Sequence, residues 1–113
     1  VSDWMNMHLS RAAWAVNCEV DPGTFNDLFA AGGADRVTAM ALLSAASDLA
    51  GAEAVQDGIE QATEEVAELA GEAVAGEAVV IVAEYEVRRA AAIEVLTALK
   101  PALVEAKVFK EIA

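Results

Sequence analysis

Between residues 37 and 87 the chain has no Lys or Arg, yet it carries eleven acids: Asp48, Glu53, Asp57, Glu60, Glu64, Glu65, Glu68, Glu72, Glu77, Glu84 and Glu86. A buried carboxylate needs a partner, and this segment supplies no cation, so it must turn its acids to water or to a basic surface. A helix with an apolar seam can do this. Val55, Ile59, Ala62, Val66, Leu69 and Ala73 step alternately by four and three residues, as in a coiled-coil seam. Glu60, Glu64, Glu68 and Glu72 step by four along another line, with neighbouring Cβ atoms about 6 Å apart. The spacing predicts a coiled-coil-like helix near 53–74, in a helical pair or bundle because the seam is under three heptads long.

Outside that block, eight acids face all seven bases, so nearly the whole net charge of −12 is local. A salt-adapted surface would spread its charge evenly, which this chain does not. Each neighbouring glutamate pair costs a few tenths of a kcal/mol even when solvated. The row is read either as a solvated face or as a docking strip for a basic partner. Because it approximates the phosphates of one nucleic-acid strand, an inhibitor filling a DNA- or RNA-binding cleft is one form of the second reading. Direct binding to nucleic acid or to an anionic membrane is not expected, since Lys and Arg drive both.

The 113 residues suit a single domain spanning 1–113. Hydrophobic residues make up 57%, but alanine dominates them and aromatics reach only 5%, so the core is thin for its hydropathy and association is expected to supply part of the stability. The single cysteine, Cys18, cannot form an internal disulfide and reads as a small buried or half-buried thiol. Asp3 and Trp4 stand where an export signal would need basic and then uninterrupted apolar residues. The apolar runs 39–46 and 78–83 are far short of the roughly 20 residues of a membrane span, so a soluble chain is expected.

Ser2 reads as the N-cap of a first helix, with Trp4, Met5, His8, Leu9, Ala12, Ala13 and Val16 at helical spacing. Met7 and Trp14 widen its apolar face, so this helix calls for burial on more than one side. After a turn at Asp21-Pro22-Gly23, Thr24 and Asp27 read as a capping-box variant opening a short helix with Phe25, Leu28 and Phe29 inward, ended by Gly32-Gly33. Asp35 is expected to cap the next helix, with a break near Gly51 and another near Gly76. Residues 79–87 are rich enough in β-branched side chains for a strand, but helix is preferred because a strongly helical stretch continues to Leu99. Pro101 is expected to stop or kink that long helix and to open a terminal one carrying Leu103, Val104, Val108, Phe109 and Ile112. The expected fold is all-α: a compact bundle of five to six helices with short connections and a long or kinked C-terminal helix.

Catalytic signatures are lacking. His8 has no glutamate three residues before it, as a di-iron bundle would require, and reads as a core or boundary residue. Cys18 has no indicated base or orienting group. No glycine pattern cradles phosphate, and no ligand set converges on a cation. The chain is therefore read as a non-enzyme without cofactor or metal.

Tyr85, Arg88 and Arg89 end the acidic block and suit pairing with an acidic helix of this chain or of another copy, while Lys100, Lys107 and Lys110 make the C-terminal end basic, favouring head-to-tail contact between copies. The leading expectation is an assembly subunit or adaptor, part of a homo-oligomer or larger complex, which binds protein through Trp4, Trp14, Phe25, Phe29, the row Glu60, Glu64, Glu68 and Glu72, and Tyr85, Arg88 and Arg89. Short connector proteins of virus particles offer an analogy of class. The alternative is an acidic inhibitor or antitoxin-like protein whose carboxylate row occupies a basic cleft.

Overall fold

Two long helices set the frame. The computed structural model describes the backbone of residues 2–70 and 72–112 and the side chains of residues 2–54 and 84–112. Helix α3 runs from Gly33 to Ala70 and helix α4 from Glu72 to Glu105. Thirty-eight residues at 1.5 Å rise make about 57 Å. The molecule measures 54 × 30 × 25 Å, so the two helices lie alongside each other, antiparallel. The other elements are α1 (Asp3–Ala15), β1 (Cys18–Val20), α2 (Pro22–Ala31) and β2 (Phe109–Glu111), and they cover one side of the hairpin.

Among the described residues the chain is mostly helical with four helices, fewer than the five to six expected. The expected break at Gly51 is absent, because Leu49, Ala50 and Ala52 are buried on either side of it and their burial outweighs the roughly 1 kcal/mol that a helical glycine costs. The separation expected near Gly76 falls instead between Ala70 and Glu72. Residues 79–87 are helical, as preferred.

Pro101 does not stop α4, which continues for its last turn to Glu105, anchored by the fully buried Leu103. The expected terminal helix is replaced by a turn and a strand. Val108 N–H donates to Leu103 O at 2.9 Å and Lys107 N–H to Val104 O at 3.1 Å, a Schellman ending with Lys107 left-handed at φ 64°. The chain then enters β2, which pairs antiparallel with β1 in the register Cys18–Glu111, Glu19–Lys110 and Val20–Phe109. Asn17, left-handed at φ 60°, turns the chain from α1 into β1; its side-chain amide donates to Ile112 O at 3.3 Å, and its own carbonyl accepts from Ile112 N–H at 3.0 Å. This ribbon joins the two ends of the described chain.

Ser2 caps α1 as expected, its Oγ accepting from Met5 N–H at 3.2 Å. The cap of α2 is Asp21 rather than Thr24: its carboxylate accepts from Gly23 N–H at 3.0 Å and Thr24 N–H at 3.3 Å, with Pro22 opening the helix. Those bonds, Thr24 foremost, hold the Asp21 carboxyl below its ordinary pKa. Gly32 and Gly33, at φ 79° and 57°, make the turn into α3, so Asp35 lies in the first turn of α3 rather than at its cap.

The core lies between the hairpin and its cover. Leu9, Ala12 and Ala13 of α1, Phe25 of α2 and Phe109 of β2 pack against Ala39, Leu42, Ala46 and Leu49 of α3 and Leu96 and Leu103 of α4. Cys18 is buried here, as expected. Desolvation raises its thiol pKa, the main effect ahead of the opposing field of Lys100, and its Sγ donates to Val16 O at 3.5 Å.

Candidate functional site

Helix α1 has two faces. Leu9, Ala12, Ala13 and Val16 are buried on one, while Trp4, Met7, Arg11 and Trp14, at steps of three, four and three, share the opposite one. Trp4 is 58%, Met7 55% and Trp14 70% exposed. Trp, Met and Arg are the side chains enriched at protein interfaces, and here they stand in a single line. The line is braced from behind. His8 meets the Trp4 ring edge-on with centroids 4.0 Å apart, and Arg11 Nε lies 3.5 Å from Glu53 Oε2. Glu53 Oε1 also accepts from Arg89 Nε at 3.2 Å, so this one carboxylate of α3 ties α1 to α4.

The residues expected to bind partners therefore divide. Trp4 and Trp14 stand on the exposed line. Phe25 does not: only 1% exposed, it is a core residue, its ring 6.4 Å from that of Phe29. Phe29 is half-buried under the Arg36 guanidinium, 4.8 Å from its ring centroid. Arg89 is engaged with Glu53 of α3. Arg88 lies instead 5.3 Å over the Tyr85 ring. The side chains of Glu60, Glu64, Glu68 and Glu72 lie outside the described residues, as do those of the whole apolar seam from Val55 to Ala73. Their backbone corrects one point: Glu60, Glu64 and Glu68 belong to α3 and Glu72 to the start of α4, so the four do not share one helix.

A second surface lies on the side of the hairpin away from α1 and α2. Ala41, Ser44, Asp48 and Gly51 of α3 and Tyr85, Arg88, Ala91 and Val95 of α4 line a groove of about 740 Å³. Beside it on α3, Val37 is 68% and Met40 51% exposed. Sequence reasoning missed this groove, although the spacing of Val37, Ala41, Ser44, Asp48 and Gly51 by four, three, four and three is as regular as the acidic block's seam. Leucine and methionine draw attention to a stripe; alanine, serine and glycine do not.

Among the described residues no three His, Cys, Asp or Glu side chains converge as a metal site would require, and no helix is long and apolar enough to cross a membrane. Among the described residues two surfaces stand out, the aromatic line of α1 and the small-residue groove of the hairpin. No protein-family model, curated protein or solved structure matches this chain.

Proposed function

We propose that the chain is a non-catalytic helical assembly subunit or adaptor that acts through protein–protein contacts. The observation that carries this reading is the line Trp4–Met7–Arg11–Trp14, exposed on the face of α1 opposite its buried one. A helix that already contributes to the core needs no tryptophan on its outer face, and two of them with methionine and arginine between supply the rigid anchors on which association energy concentrates. Such a line suits an apolar groove on a partner protein or on another copy. The Glu53 bridge fixes α1 to both long helices, so its outer face is presented without reorganisation.

The test is molar mass by light scattering for the wild type and for the double variant Trp4→Ala/Trp14→Ala, with circular dichroism as the folding control. The reading requires a species larger than the 11.7 kDa chain that is lost in the double variant at unchanged helicity. Equal mass at equal concentration in both proteins would reject the role of α1. Association that instead persists in the double variant, collapses in molar salt and is lost with Glu64→Gln/Glu68→Gln would favour the acidic-inhibitor reading, in which carboxylates dock on a basic surface.

A further inference from the structure

We draw no further inference here: the strongest candidate, the groove between α3 and α4 lined by Ala41, Ser44, Asp48, Gly51, Tyr85 and Arg88, is a stripe of small residues with exposed charges beside it, and nothing in the structure shows what covers it.

Discussion

The two sides of α3 are built from nearly the same alphabet and come to opposite ends. Toward α1 and α2, Ala39, Leu42, Ala46 and Leu49 are buried beneath Leu9, Phe25 and Phe109. On the other side, Ala41, Ser44, Asp48 and Gly51 line an open groove, with Val37 and Met40 beside them exposed. Alanine is common to both. Burial followed the leucines, because the larger side chains supply most of the area that rewards a covering layer. The other side holds small residues at equally regular spacing, and among the described residues no side chain fills the groove they line.

This contrast breaks most sharply under truncation. Leu49→Ala or Leu96→Ala is expected to cost about 2–5 kcal/mol in urea unfolding, whereas Ser44→Ala in the groove should stay within about 0.5 kcal/mol when measured at dilution. Equal effects would mean that the groove is part of the core. Next in size, Gly51→Ala should stabilise the dilute chain by about 0.5–1 kcal/mol, since the added methyl meets nothing. A loss of stability would show that the groove floor is packed within the chain.

Glu53→Gln sharpens the comparison from the covered side. Removing the carboxylate between Arg11 and Arg89 should cost no more than about 1 kcal/mol, with the difference from wild type shrinking in molar salt because the pairs are partly exposed. Smallest is the α2 cap. The Asp21 carboxyl titrates below its unfolded value, so its contribution is complete above the ordinary aspartate range and is lost as pH falls through the depressed folded value. Asp21→Ala should lower the thermal midpoint slightly at neutral pH and lose that difference in acid; a gap that persists in strong acid would assign the effect to something other than the ionised cap.

Much of the frame was legible from periodicity. Ser2 as a cap, the Gly32-Gly33 turn and the helical course of 79–87 follow from local chemistry that the tertiary structure does not override, whereas α1, expected to be buried on more than one side, is covered on one and leaves Trp4, Met7 and Trp14 exposed on the other. What was not legible has physical causes. The ribbon of Cys18–Val20 with Phe109–Glu111 is too short to show alternation, and the turn that admits β2 places a lysine, not a glycine, in the left-handed position. Gly51 and Pro101 read as breaks because their local cost is visible in sequence while the burial of Leu49, Ala52 and Leu103 that offsets it is not. Aromatic character alone does not separate Phe25 from Trp14 as a docking residue; packing does. The groove escaped notice because its signal lies in small residues.

The most direct test of the account is the molar mass of the intact chain in solution, by light scattering from nanomolar to high micromolar concentration at low and at molar salt. The account predicts a mass that climbs from 11.7 kDa to at least twice that value, with helicity unchanged and with the association surviving salt because apolar faces drive it. A mass of 11.7 kDa at every concentration and both salts would contradict it.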